Sequence, residues 1–266
     1  IIPHSDGSGI IVEVGKNISA ERLNERVWIW NGAWNRAFGT AAEYICLPAD
    51  QAVKMPSSMS FEHGACLGIP GLTAAQLICV QSKIEEKTIF ISGGNGAVGH
   101  LAIQLAKYRG AQIIATARAG KVEKLKDLGA DFVLDYADPE LDKKVLECAP
   151  NGVDYAVEVE FGENINIIPK IMRAMGTVSI YGSGKNMNPQ FPFGEYLFKS
   201  LTLNIILVYL MPTPLRKRLI KIIHDAYIKN ALFPSIDSIY ELGDCAKAHE
   251  QVIKPGRNGT VLLKID

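Results

Sequence analysis

The chain has 266 residues, 48% apolar and 21% charged, an ordinary composition for a soluble globular protein with a sizeable core. Lys plus Arg and Asp plus Glu each number 28, so no overall field points to nucleic acid or to acidic lipid. The five cysteines, Cys46, Cys66, Cys79, Cys148 and Cys245, form no C-x-x-C pair, which argues against a disulfide framework and a structural zinc and fits a reducing, cytoplasmic setting.

Taken in chain order, the first third reads as irregular β. Strands are expected at 10–14 and 26–30, where β-branched and aromatic residues are bounded by turns, and at 42–47, which ends at Pro48. From Phe61 the pattern turns helical, with Ala65, Leu77 and Val80 available to an apolar face. From Thr88 strands and helices alternate. Strands are expected at 88–92, 112–117, 132–134, 154–159 and 177–181. Helices are expected at 97–109, 121–128, 140–148 and 165–175. That alternation predicts a doubly wound parallel sheet, an α/β fold. A further strand lies within 201–210, an amphipathic helix at 214–229 and a closing strand at 260–265. The apolar run near 201–211 falls well short of the roughly 20 residues a membrane helix needs, so no membrane partner is expected. No signal peptide is read at the start. A β-rich domain from both ends, 1–71 and 231–266, is expected to enclose a Rossmann domain at 72–230.

Gly94, Asn95, Gly96, Ala97, Val98 and Gly99 spell G-x-G-x-x-G between an expected strand and an expected helix, the context that gives this motif meaning. Gly94 would permit the tight turn, Gly96 a close backbone approach to a pyrophosphate, and Gly99 close packing of helix on strand. The helix N-terminus would then face the phosphates. The alternative is a glycine-rich turn with no ligand. The second strand ends Thr116-Ala117-Arg118 with Lys121 soon after, and lacks the acid that would bond a ribose hydroxyl. Arg118 and Lys121 are cations able to meet a 2′-phosphate, which points to NADPH, against a bland reading as two solvated charges. No P-loop and no G-x-S-x-G elbow is present, and His4, His63, His100, His224 and His249 show no metal-binding spacing. No metal is expected, and His100 and His249 read as non-catalytic.

The stretch from Ser92 to Gly99 resembles the nucleotide loop of the zeta-crystallin-like quinone oxidoreductases, zinc-free members of the medium-chain dehydrogenase/reductase superfamily. Ser5-Asp6-Gly7-Ser8-Gly9, Gly68-Ile69-Pro70-Gly71-Leu72-Thr73, Leu128-Gly129-Ala130-Asp131, Asp135-Tyr136, Tyr181-Gly182-Ser183, Ala248-His249-Glu250 and Gly259-Thr260-Val261 resemble further segments of that family in the same order. The resemblance implies a partial GroES-like catalytic domain around the Rossmann domain, a cofactor in the interdomain cleft, and hydride transfer from NADPH to a quinone or another α,β-unsaturated carbonyl. It implies that Thr73, Gly96, Ala97, Val98, Lys121, Tyr136 and Ser183 line the cofactor, with Lys121 and Tyr136 on the 2′-phosphate. It also implies a homodimer joined along the strand that contains Ile205, Ile206, Leu207 and Val208.

Two departures carry weight. Zinc alcohol dehydrogenases of the superfamily have a histidine near Ser5 and a cysteine near Ile69 as metal ligands; serine and isoleucine are unsuited to zinc. The chain opens on Ile1, and relatives carry a preceding segment that completes the catalytic domain, so the chain is expected to be N-terminally incomplete. No catalytic acid is assigned. Tyr44 qualifies by residue chemistry alone and reads as a core tyrosine. Reduction of an enoyl thioester, or a non-enzymatic crystallin or RNA-binding role that keeps nucleotide affinity, are the competing readings, the RNA role disfavoured by the balanced charge.

Overall fold

The computed structural model describes residues 1–80, 83–118, 122–254 and 257–265. Strands β1 (Gly7–Ile10), β2 (Arg26–Ile29) and β3 (Ala52–Lys54) form an antiparallel sheet in that order. Val27, Trp28 and Ile29 of β2 are all buried. Of the strand expected at 10–14, Ile10 pairs with Arg26 and Ile11 still bonds to the Glu25 carbonyl and the Asn24 N–H, and residues 12–14 lie outside the sheet. The strand expected at 42–47 does not form. Its backbone has no ladder partner, and a lone extended segment has nothing to hold it. Tyr44 is 74% exposed there rather than buried in a core. Helix α1 (Phe61–Ala65) starts at Ser60, whose hydroxyl accepts from the His63 N–H at 3.2 Å.

Helix α2 (Leu72–Cys79) leads into an alternating series. In order come β4 (Thr88–Ile91), α3 (Gly99–Tyr108), β5 (Gln112–Ala117), α4 (Val122–Asp127), β6 (Phe132–Asp135), α5 (Leu141–Cys148) and β7 (Val153–Glu158). They are followed by two short helices, α6 (Phe161–Asn164) and α7 (Ile168–Ile171), then β8 (Met172–Ile180), α8 (Phe193–Phe198) and β9 (Thr202–Ile205). The six strands pair in parallel in the order β6-β5-β4-β7-β8-β9. This is the doubly wound α/β sheet expected of the alternation. Residues 113–117 of β5 are buried in succession, as a parallel strand covered on both faces requires. One face packs Phe90, Ile114, Ala156 and Val178 against Leu141, Val145, Ile168 and Ile171. Each large side chain there contributes about 1.5–3 kcal/mol by leaving water.

The expected helix at 165–175 is cut at Ile171, and Met172 already pairs with Val153 on β7. The apolar spacing of Ile168, Ile171 and Met172 fits a helical stripe, but the ladder to β7 takes the last of them. Helix α9 (Thr213–Ile228), strand β10 (Ile236–Glu241), helix α10 (Cys245–Ile253) and strand β11 (Thr260–Lys264) close the chain, β10 pairing with β11 in parallel.

Two compact units result: Ile1–Leu72 with Val208–Asp266, and Thr73–Leu207. The second division falls after residue 207 instead of the expected 230. The reason is α9, which packs within the first unit. Trp28 Nε1 donates to His224 Nε2 at 3.0 Å, and His63 Nδ1 shares a hydrogen bond with the Tyr227 hydroxyl at 2.8 Å.

Candidate nucleotide-binding site

The strand order reverses between β4 and β7, and ligands of such sheets bind beyond the carboxyl ends at that point. There Ser92, just past β4, bridges to β7. Its N–H donates to the Val157 carbonyl at 2.9 Å, and its hydroxyl donates to Glu158 Oε1 at 2.8 Å while accepting from Val159 N–H at 3.0 Å. The chain then turns through Gly93, whose φ of +67° is the left-handed conformation. The tight turn therefore belongs to Gly93 and not, as the motif suggested, to Gly94. Gly93 and Gly94 donate to the side chain and carbonyl of Thr116 at 3.1 and 2.8 Å, which ties the loop to β5.

Helix α3 begins at Gly99, two residues later than expected, with no side-chain cap. A Cβ on Gly99 would lie 2.3 Å from the Gly93 oxygen and 2.9 Å from Gly94 Cα, so this glycine lets the helix start close against the loop backbone. Among the described residues, the N–H groups of Asn95, Ala97 and Val98 have no hydrogen-bond acceptor, and Asn95 Oδ1 is buried and unpartnered. Unpaired donors beside the positive end of a ten-residue helix are an anion site in waiting. A Cβ on Gly96 would meet only the Gly93 oxygen, at 3.3 Å, so space beside it is open to an approaching ligand. The loop fits a pyrophosphate.

At the neighbouring strand ends, Arg118 follows β5 and is exposed, while Tyr136 follows β6 and is half exposed. The Tyr136 N–H donates to the Ala117 carbonyl at 3.2 Å, which brings the two residues to one edge. Lys121, the third residue expected there, lies outside the described residues. The β5 end carries no acid, although Asp135 faces Ala117 from β6 and spends one oxygen on the Ala137 N–H at 3.0 Å.

Ser183 lies in the loop after β8. Its hydroxyl donates to the Asn186 carbonyl at 2.5 Å and accepts from Gly162 N–H at 2.8 Å, so it holds its own loop first. Thr73 is buried in α2. In the other unit, Ser5 and Ile69 offer no metal-ligating pair: Ser5 Oγ accepts from Ala33 N–H at 3.4 Å, and the Ile69 N–H donates to Asp6 Oδ1 at 2.6 Å. Burial pushes that Asp6 carboxyl up to about 7, against the hydrogen bond from Ile69.

Of two buried polar residues at the switch point, Glu158 was passed over in the sequence and His100 was read as non-catalytic. Glu158 is fully buried; its Oε1 accepts from Ser92, Glu160 N–H and Asn164 Nδ2, while Oε2 has no partner. Burial raises its pKa above the usual carboxylate range. His100 is 2% exposed and lies one turn below the loop. The signal for Glu158 was available: an acid closing a strand directly after the apolar run Tyr155-Ala156-Val157. Distant in sequence, His4 and His249 meet, with Cys245 beside them.

A family model described as zinc-binding dehydrogenase matches residues 97–225, a range that excludes Ser5 and Ile69. A rat quinone oxidoreductase is 26% identical over 98% of this chain and 79% of its own length. An Arabidopsis chloroplast envelope quinone oxidoreductase homolog is 31% identical over 71% of this chain and 63% of its own. A mycobacterial protein solved in complex with NADPH superposes with a TM-score of 0.86 at 24% identity, covering 98% of this chain and 82% of that one.

Proposed function

We propose that this chain, a member of the quinone oxidoreductase-like medium-chain dehydrogenase/reductases, is an oxidoreductase that binds NADPH and reduces a quinone or another α,β-unsaturated carbonyl without a catalytic zinc. The observation that carries the reading is the loop–helix junction, where the N–H groups of Asn95, Ala97 and Val98 are unpaired in a glycine loop at the sheet's switch point. Gly94, Gly96 and Gly99 shape that loop. The acid-free end of β5, with Arg118 beside Tyr136, supports the phosphorylated cofactor. Lys121 joins them on sequence grounds, and Thr73 and Ser183 are assigned to the same cofactor by family resemblance.

A bound NADPH would supply the hydride to the acceptor, and solvent would supply the balancing proton. The chain's own part is to hold the phosphates on backbone N–H groups and to keep the loop fixed through Ser92, Thr116 and Glu158. Ser5 and Ile69 offer no metal-ligating pair, so polarisation of the carbonyl falls to hydrogen bonds.

No described helix is long and apolar enough to cross a membrane. The balanced charge and the scattered cysteines support a cytoplasmic setting without a nucleic-acid partner. Strand β9 forms one edge of the sheet; Ile205 at its end is 77% exposed and Leu207 just beyond it 48%, which supports pairing with a second copy. The test is steady-state turnover of quinones, enones and enoyl thioesters with NADPH and with NADH, before and after chelation. Quinone or enone reduction with NADPH that survives chelation is the expected result. Turnover of enoyl thioesters alone would move the substrate class, and absence of nucleotide binding would remove the reading.

A further inference from the structure

His4, Cys245 and His249 bring three metal-ligating atoms within 4.8 Å of one another, and all three residues belong to the unit formed by the two ends of the chain. We propose that they are a binding site for one Zn²⁺ or a similar borderline transition metal, separate from the nucleotide loop and from the positions of Ser5 and Ile69. The geometry is close to what zinc demands. Zn–N distances of about 2.0–2.1 Å and a Zn–S distance of about 2.3 Å, at tetrahedral angles, place two nitrogens about 3.3 Å apart and nitrogen and sulfur about 3.6 Å apart. Here His4 Nε2 and His249 Nε2 are 2.8 Å apart, and Cys245 Sγ is 3.8 Å from His249 Nε2. The third pair, His4 with Cys245, lies within 4.8 Å, so side-chain torsions must close it by up to about 1.2 Å and open the two imidazoles by about half an ångström to admit the ion.

The frame holding these atoms is already built. Cys245 and His249 are four residues apart on α10, so they share one face of the helix. His4 comes from the opposite end of the chain on a segment pinned along its length. Ile2 N–H donates to Ala37, Gly39 N–H to Ile2, Thr40 N–H to His4 and Ala41 N–H to Pro3, all between 2.8 and 3.1 Å. His4 itself is held at φ 75°, a conformation a β-carbon disfavours and the surrounding hydrogen bonds impose.

Binding replaces the His–His hydrogen bond with two Zn–N bonds and forms one Zn–S bond; the proton on the donor ring's Nε2 moves through solvent to Nδ1 of the same ring, freeing the Nε2 lone pair. The Cys245 thiol proton leaves to solvent, no oxidation state changes, and water completes the tetrahedron. The ion then fastens the first residues of the chain to its last helix. The ligand set of two imidazoles and one thiolate suits zinc or copper and is a poor match for calcium or magnesium.

The experiment uses the whole chain, stripped of metal, with Co²⁺ as a spectroscopic probe and Zn²⁺ titrated against a chromophoric chelator. Wild type is expected to bind one Co²⁺ with tetrahedral ligand-field bands and a thiolate charge-transfer band, both displaced by one equivalent of Zn²⁺. Cys245→Ser should lose the charge-transfer band. His249→Ala and His4→Gly should weaken Zn²⁺ binding by more than the roughly 10–100-fold that loss of an outer-shell partner costs. His4→Gly suits the positive φ, so it tests the ligand without straining the backbone. Zn²⁺ should raise the melting temperature of wild type and leave that of His4→Gly unchanged. A wild-type Co²⁺ spectrum without thiolate absorption overturns the site, as does Zn²⁺ affinity equal in wild type and all three variants. The wild-type spectrum decides the matter even if a variant fails to fold, and nucleotide binding, which uses the other unit, is read separately.

Discussion

Nδ1 of His100 meets the carbonyl oxygen of Gly96 at 2.9 Å, so the first turn of α3 reaches back to the loop it grows from. A carbonyl only accepts, so Nδ1 carries the proton. Burial holds the ring's pKa down at about 4, opposed by the Gly96 hydrogen bond and aided by the Lys124 ammonium. In the unfolded chain the ring titrates near 6.5. The native state therefore stays neutral where the unfolded state takes up a proton. That stability is present above pH 6.5 and is lost as pH falls toward 4. His100→Asn offers an Nδ2 donor to the same carbonyl and does not titrate. Its stability should fall less between pH 7 and pH 4 than that of wild type, by about 3 kcal/mol at the acid end. Urea unfolding at pH 7, 5.5 and 4 measures this, and parallel curves for the two proteins would refute it.

Glu158 acts with the opposite sign. Burial raises its pKa, the hydrogen bonds from Glu160, Ser92 and Asn164 oppose the shift, and one oxygen has no partner at all. The native carboxylate is penalised, so the group favours folding at acid pH and loses that advantage as pH rises through its native pKa. Glu158→Gln keeps an accepting Oε1 and carries no charge. It is expected to have a higher urea midpoint than wild type at pH 8 and a similar one at pH 4.5. A lower midpoint at pH 8 would mean that Ser92, Glu160 and Asn164 need the charge itself.

Much of this site was legible because its chemistry is local. The 94–99 motif, its flanking strand and helix, and the missing acid after Ala117 all lie within 31 residues, from Thr88 to Arg118, and one strand–helix–strand pattern positions them. What sequence did not yield depends on distant partners. The strand expected at 42–47 satisfied propensity but found no neighbour, whereas β3, only Ala52-Val53-Lys54, exists because β2 pairs with it. The stripe at 165–175 changed from helix to strand at Met172 for the same reason. Helix α9 had the right period and the wrong unit, since its contacts run to Trp28 and His63, far earlier in the chain. The His4–His249 contact spans 245 positions, beyond any spacing rule for metal ligands.

Gly96 and Gly99 separate folding from binding. A Cβ on Gly99 collides with backbone at 2.3 Å, and backbone cannot rotate away. Gly99→Ala should lose roughly 1–3 kcal/mol of stability, the usual cost of overpacking, and nucleotide affinity with it. A Cβ on Gly96 touches one oxygen at 3.3 Å. Gly96→Ala should unfold within a degree or two of wild type, taking that contact as worth well under 1 kcal/mol, yet bind NADPH poorly because the methyl fills the approach to the phosphates. Calorimetric melting and fluorescence titration of both variants check the contrast. Equal melting temperatures for the two would contradict the collision at Gly99.

The proposed preference for NADPH over NADH rests on the edge formed by β5 and β6. An acid at the end of β5 would accept from a ribose hydroxyl and repel a phosphate; this chain has Ala117 followed by Arg118. Tyr136 is brought to that edge by its N–H on the Ala117 carbonyl and is half exposed, so its hydroxyl is available to a ligand. Lys121, on sequence grounds, adds a second cation. A hydrogen bond to a charged group contributes about 1.5–3 kcal/mol, which is tenfold or more in affinity. Lys121→Ala and Arg118→Ala are each expected to weaken NADPH binding by about tenfold or more and to leave NADH binding nearly unchanged. Tyr136→Phe should do the same to a smaller degree, because its donor is neutral. Asp135, facing Ala117 from β6, would work against a 2′-phosphate held there, so Asp135→Asn should tighten NADPH and not NADH. Titrations of wild type and the four variants with both cofactors decide the assignment. Equal wild-type affinity for NADH and NADPH would remove it, and an unaltered Arg118→Ala would return that side chain to solvent while leaving Lys121 and Tyr136 to carry the selectivity.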